Sequence, residues 1–368
     1  MEVEVLQERL SKALNIVSRV AASTKAGLPI LSNILLRADG KELILTATNL
    51  ELATVDFVNA EVKNSGTITV PAKLIAEFVS NLPRGEKVLL KSKDDKLMIS
   101  AGKYKSTING ILADDFPELP KIDEKEAAIF KIDVDIFKEA LSEVIPASSS
   151  DTTRPALTGV FFNTFEGDLY IAATDGYRLA DRKFVNGVSS EIKAIVPSTA
   201  VQEVLRSISD SVKEVEILIS ESQIVFRLGE IEITSKLIDA SFPPYRQLIP
   251  KTSEITLELD KAELIRMTRV AALFARESGG SVVCETQAET GNFLVYAVAS
   301  ELGENTASME AGAKADGKVV LNSRYLIDAL NATIEDKISF GFSGKLSPVV
   351  IKNAKNTEYT HIVMPLKS

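Results

Sequence analysis

The chain has 368 residues, 45% of them apolar and 25% charged, which supports two or three folded cores and excludes a disordered polyelectrolyte. Its net charge of −9 argues against a protein that grips nucleic acid over its whole surface, so any Lys and Arg that meet DNA must be gathered on one face. No apolar run reaches the ~20 residues of a membrane-spanning helix, no signal-peptide pattern opens the chain, and a single cysteine, Cys284, forbids an internal disulfide; a cytoplasmic protein with no membrane partner is expected.

The first predicted helix carries apolar positions at Leu10, Ala13, Leu14 and Val17. Strand-like runs follow at 34–36, 43–48, 55–58 and 67–70. Val70-Pro71 then opens a second helical pattern, with Leu74, Ile75, Phe78, Val79 and Leu82 on one predicted stripe. A strand pair at 87–91 and 97–101 precedes the closing phrase Phe116-Pro-Glu-Leu-Pro120.

The same order then returns. Phe137, Ala140, Leu141 and Val144 repeat the first helix, and 126 positions after Val70-Pro71 stands Val196-Pro197, followed by Ala200, Val201, Val204, Leu205 and Ile208. Strand-like runs at 214–220 and 224–228 lead to Phe242-Pro-Pro-Tyr-Arg-Gln-Leu-Ile-Pro250, again 126 positions after its counterpart. A third, looser round has Leu264, Met267 and Ala271, then Tyr325, Leu326, Ala329 and Leu330 after Asn322-Ser323, then runs at 337–342 and 349–352. Even a turn is echoed: Ala-Thr-Asn-Leu-Glu-Leu-Ala at 47–53 becomes Ala-Thr-Asp-Gly-Tyr-Arg-Leu-Ala at 173–180.

Three rounds of helix, strands, helix, strands predict three tandem copies of one α+β domain, 1–122, 123–250 and 251–368. In each, two amphipathic helices cover one face of antiparallel sheets. Repeats of this kind curve or close, and pairing between units and between chains removes exposed sheet edges, so a closed ring is expected. If the helices line its hole, the candidate DNA-facing residues are Arg9, Lys12 and Arg19 on the first helix, Lys73, Lys138, Arg206 and Arg324 on others, and Lys261, Arg266, Arg269 and Arg276 in the third repeat. Arg266, Arg269 and Arg276 are assigned to one side of their helix. Glu8, Glu77, Glu139 and Glu203 share these helices, so an ordinary solvated face is the competing reading.

Signatures of catalysis are absent. No glycine-rich phosphate loop occurs, the lone histidine, His361, reads as structural, and Cys284 reads as a buried bystander. Asp94-Asp95 and Asp114-Asp115 leave open a metal-dependent nucleic-acid enzyme, although adjacent acids in turns are usually solvated. No cofactor, metal site or catalytic residue is assigned.

Leu28-Pro29-Ile30-Leu31-Ser32-Asn33, Thr153-Arg154-Pro155 with Leu157-Thr158-Gly159, the 173–180 phrase, Thr234-Ser235-Lys236-Leu237-Ile238-Asp239, Phe242-Pro243 with Tyr245-Arg246, and Val363-Met364-Pro365-Leu366 together resemble the bacterial sliding clamp, the beta subunit of DNA polymerase III. The resemblance runs the full length. It implies a head-to-tail homodimeric ring of six domains that encircles duplex DNA without sequence preference, confers processivity and performs no catalysis. It implies as partners replicative and other DNA polymerases, the clamp loader and repair proteins carrying clamp-binding motifs. A clamp-like scaffold that no longer encircles DNA is the related alternative.

By the same resemblance, a peptide groove between the second and third domains is walled by Leu157, Thr174, Gly176, Tyr177, Arg178, Leu179, Pro243, Gln247, Leu248, Leu346, Pro348, Ile362, Val363, Met364, Pro365, Leu366 and Lys367. Lys25 and Arg154 join the DNA-facing set. The dimer interface sets Lys103, Lys105 and Ile108 of one chain against Ala272, Leu273 and Phe274 of the other. Tyr177 stands where many members have His, Gln247 where some have Arg, and Pro155-Ala156 where others have a Tyr pair.

Overall fold

The computed structural model describes residues 1–23 and 27–367. Six helices recur at the repeat positions: α1 (Gln7–Ala22), α2 (Ala72–Ser80), α3 (Val134–Val144), α4 (Ser198–Ser207), α5 (Lys261–Phe274) and α6 (Ser323–Ala332). Among the described residues every strand pairing is antiparallel, as expected of sheets with one face covered and one facing water.

The residues divide by contacts into two units, Met1–Val134 with Glu203–Leu237, and Asp135–Gln202 with Ile238–Ser368. The first unit holds an eight-stranded and a five-stranded sheet; the second holds an eight-stranded and a four-stranded one. This cut differs from the repeat boundaries because strand pairing runs across repeats. In the first unit Leu52–Asn59 pairs with Ile231–Lys236, and in the second Arg178–Val185 pairs with Tyr359–Val363.

The first-helix stripes are buried as predicted: Leu10, Ala13, Leu14 and Val17 on α1, Phe137, Ala140, Leu141 and Val144 on α3, and Leu264, Met267 and Ala271 on α5. Of the α2 stripe, Ile75, Val79 and Leu82 are buried and Phe78 packs half-buried against the core, as predicted, and only Leu74 falls outside. Ala72, Ile75, Ala76 and Val79 face inward, while Leu74 is 51% exposed. α1 and α2 are tied together by the amide of buried Gln7, which donates to Val79 O at 2.8 Å. α5 starts at an Asp260 cap that accepts from Glu263 N at 2.8 Å, and α6 at an Asn322 cap that accepts from Arg324 N and Tyr325 N.

The second unit buries a polar cluster beside its cross-repeat pairing. Arg182 Nε lies 3.0 Å from Glu143 on α3, and its other nitrogens lie 2.7 Å from Glu358 and 3.3 Å from Glu139. Asn353 donates to Glu143 at 3.1 Å, and the Tyr359 hydroxyl lies 2.7 Å from His361 Nδ1. Burial pushes the Glu143 carboxyl from 4.5 up to about 7 despite the opposing charge of Arg182, and burial drops His361 from 6.5 to about 3.

The two shifts act in opposite directions. The raised Glu143 contributes stability that is complete below pH 4.5 and is lost as pH rises toward 7, whereas neutral His361 contributes stability that is lost as pH falls from 6.5 toward 3. Substituting Glu143→Gln isolates the first. Urea denaturation at successive pH values is expected to show the wild type losing roughly 3 kcal/mol relative to this variant between pH 4.5 and 7; a constant difference contradicts the assignment.

Candidate functional site

At one end of the second unit's eight-stranded sheet, the turn joining strands Asp168–Thr174 and Arg178–Val185 is held by its own side chains. Thr174 Oγ1 accepts from Gly176 N at 3.0 Å and donates to Arg178 O at 2.6 Å. Asp175 Oδ1 accepts from Tyr177 N at 2.8 Å and Arg178 N at 3.0 Å, as Asp does in turns of this kind. Gly176 takes φ +93°, a conformation that favours glycine, and a Cβ there would stand 3.3 Å from the Arg154 guanidinium. The turn thrusts Tyr177 outward, 59% exposed.

Arg178 folds back beneath that ring. It lies 3.1 Å from Asp175 and 2.6 Å from Asp328, with its guanidinium 4.7 Å over the Tyr325 ring, which in turn stacks on Tyr177 at 6.3 Å. Burial raises the Tyr325 hydroxyl pKa, with Asp175 adding to the effect.

A second support carries the Tyr245–Leu248 turn. Phe242 stacks on Phe161 at 4.6 Å, the Tyr245 hydroxyl donates to Asp181 at 2.6 Å, and Arg246 is held between the rings of Tyr170 and Phe165 at 3.9 and 4.1 Å. Burial pushes the Asp181 carboxyl up, opposed by Arg246 and the Tyr245 bond. With Tyr245 pinned, Gln247 and Leu248 face solvent.

The tail completes the site. Met364 N donates to Tyr177 O and Leu366 N to Val320 O, both at 2.8 Å. Leu346, in the loop before strand Val349–Asn353, is 71% exposed, and Val349 pairs with Val363. Exposed Tyr177, Leu248, Leu346 and Met364 thus surround one sheet end, with Pro243 and Lys367 exposed and Pro348, Pro365 and Leu366 half-buried among them.

Six of the residues predicted for the wall are buried. Leu157, Thr174, Arg178, Leu179 and Ile362 are floor and struts. Val363 is buried on the opposite face of its strand, in the core beneath α5 and α6, because neighbouring strand residues point to opposite sides. Tyr325, Asp328, Phe242 and Arg246 support the site but were not predicted for it. The sequence marks Tyr325 only as an apolar helix position, and the others signal their roles only through partners distant in sequence.

The basic residues sort unevenly. Lys12, Lys73, Arg206, Arg266, Arg269 and Arg324 are exposed, Lys73 3.9 Å from Glu77 and Arg266 2.5 Å from Glu263. Lys138 is half-buried, and Lys25 lies outside the described residues. Arg19 is committed within the protein, 2.6 Å from the buried Glu203 and 3.0 Å from Ser207, and Arg9 is tied to Asp56 and Glu230. Lys261 caps the end of α6 by donating to Thr333 O and Ile334 O. Arg276 falls beyond the end of α5 and so leaves the predicted helix side, and Arg154 lies beside the groove turn, donating to Asp175 O.

Of the interface residues, Lys103, Lys105 and Leu273 are exposed, while Ala272 and Phe274 are half-buried. Ile108 is only 3% exposed; its strand turns it into the core, opposite Leu97, so it is a packing residue. Asp94-Asp95 and Asp114-Asp115 lie exposed in turns, and Cys284 is fully buried, its thiol pushed up to about 12.

Residues 1–120, 131–244 and 246–367 match the families described as the N-terminal, central and C-terminal domains of the DNA polymerase III beta subunit. The chain belongs to the DNA polymerase III beta-subunit family. It is 31% identical over 375 residues to the beta sliding clamp of Synechococcus elongatus, covering 100% of this chain and 99% of that one. It is 28% identical over 361 residues to the beta sliding clamp of Staphylococcus aureus, covering 95% and 94%. A crystal structure of the sliding clamp from Pseudomonas aeruginosa bound to griselimycin superposes with a TM-score of 0.94 at 26% identity, covering all of both chains.

Proposed function

We propose that this chain is a replication processivity clamp: two copies close head-to-tail into a ring around duplex DNA, and the groove at Tyr177, Leu248, Leu346 and Met364 tethers DNA polymerases. In this reading the three repeats, 1–122, 123–250 and 251–368, are three clamp domains, the protein is cytoplasmic, and it catalyses no reaction. The clamp loader and repair proteins with short clamp-binding motifs use the same groove. The observation that carries the reading is the exposed apolar quartet on rigid supports, in a chain whose relatives are named sliding clamps over their whole length.

An apolar slot with a methionine at its mouth suits a leucine or phenylalanine anchor, because a thioether side chain repacks around different partners. Primer extension with the cognate polymerase and clamp loader tests it. Leu346→Asp is expected to leave stability within about 0.5 kcal/mol, since the residue is exposed, yet to weaken polymerase tethering about tenfold or more. Full stimulation by that variant contradicts the groove.

For the ring, strands Tyr104–Asn109 and Gly303–Glu310 stand last in their sheets, and open edges of this kind pair with a second chain. Exposed Leu273 and Val270 on α5 offer an apolar contact alongside. The Leu273→Asp variant is expected to stay folded and sediment as a monomer; an intact dimer contradicts the interface. Exposed Lys12, Lys73, Arg206, Arg266, Arg269 and Arg324 supply weak phosphate contacts, which suits sliding better than tight neutralisation.

A further inference from the structure

The first unit contains a counterpart of the groove turn. Thr48 Oγ1 accepts from Leu50 N at 3.0 Å and donates to Leu52 O at 3.0 Å, and Asn49 Oδ1 accepts from Glu51 N at 3.0 Å and Leu52 N at 2.8 Å. These are the bonds made by Thr174 and Asp175, shifted by the repeat length. The next strand over also corresponds: Leu52 pairs with Ser235 where Arg178 pairs with Val363, which places Lys236 where Met364 stands.

Two features differ from the groove described above. Leu50 occupies the position of Gly176 and holds φ +76°, a left-handed conformation disfavoured for a branched aliphatic residue, while 41% exposed. Around it opens a cavity of about 300 Å³ walled by Leu50, Leu52, Pro117, Leu119 and Pro120. Its polar rim carries Glu51 and Glu118, with Lys236 3.5 Å from Glu51, so acid exceeds base there. The Tyr177 groove instead has exposed Arg154 at its turn, donating to Asp175 O and 4.0 Å from Asp151, and exposed Lys367 in the tail beyond Met364.

We propose that this cavity is a second docking site, for an extended peptide that inserts a leucine or phenylalanine anchor flanked by basic residues. The walls match the anchor in character, and the acidic rim selects the flanks. Leu50 is held in a conformation that only the surrounding turn sustains, and the consequence is an aliphatic side chain presented at the cavity mouth. The two sites thereby sort partners by the sign of charge beside a similar anchor. This extends the groove reading above to a second repeat, and the test separates the two.

The probe is a fluorescein-labelled peptide with a leucine–phenylalanine pair between lysines, followed by anisotropy on the full chain, with a glutamate-flanked twin for comparison. The lysine peptide is expected to bind better than its twin, to bind about tenfold more weakly to Leu50→Gly, and to bind Leu346→Ala as it binds the wild type. Glycine accepts the left-handed turn, so Leu50→Gly retains the fold while removing one wall, which circular dichroism checks. No binding, equal binding to Leu50→Gly, or loss on Leu346→Ala in its place overturns the second site. None of these outcomes alters the primer-extension result that tests the first.

Discussion

The pairing of Arg178–Arg182 with Tyr359–Val363 is the interaction on which the second unit depends. Through it, strands from two repeats become one sheet, with Val363 in the third repeat's core and Ile362 on the opposite face in a cluster with Ala172, Leu179 and Tyr245. Through it also, the turn at Asp175–Tyr177 meets the chain's last residues, so that Met364 N reaches Tyr177 O. A one-residue slip would exchange Ile362 and Val363 between faces and dismantle both cores, which fixes the register tightly. Arg182, aimed from this strand at Glu143, Glu139 and Glu358, tolerates no such slip either, because its buried guanidinium would be turned away from all three acids.

That coupling explains which parts of the fold were legible in the sequence. The first-helix stripes announced themselves because three repeats bury the same spacing, and the strand pairs followed from alternation between turns. On α2 only Leu74 was misplaced, because leucine looks more like core than the alanines at Ala72 and Ala76 do. Ala72 and Ala76 take the buried side of the helix, leaving Leu74 outside. Ile108 shows the converse, a residue assigned to an interface by resemblance and claimed by its own core.

Charged residues were the least legible part. Arg9 and Arg19 have the spacing of a basic helix face, yet each is consumed by an acid far away in sequence, Asp56 with Glu230 and Glu203. A helical spacing reports only which side a residue faces, and nothing about the partner waiting there. For the groove, the resemblance put Arg178 and Thr174 in the wall beside exposed Tyr177, Leu248, Leu346 and Met364, but they are buried and act as struts: their hydrogen bonds hold the turn that displays Tyr177. An acidic chain with a handful of exposed cations on its helices suits a protein that surrounds DNA without gripping it, because tight neutralisation of phosphates would oppose sliding.

The most direct measurement is retention on nicked circular DNA after treatment with a clamp loader, followed by linearisation of the circle. A ring that encircles DNA stays on the closed circle through a salt wash and is lost from the linear form by running off its ends. Equal, salt-sensitive loss from both forms would mean ordinary surface binding, and it would contradict the topological basis of the proposed function.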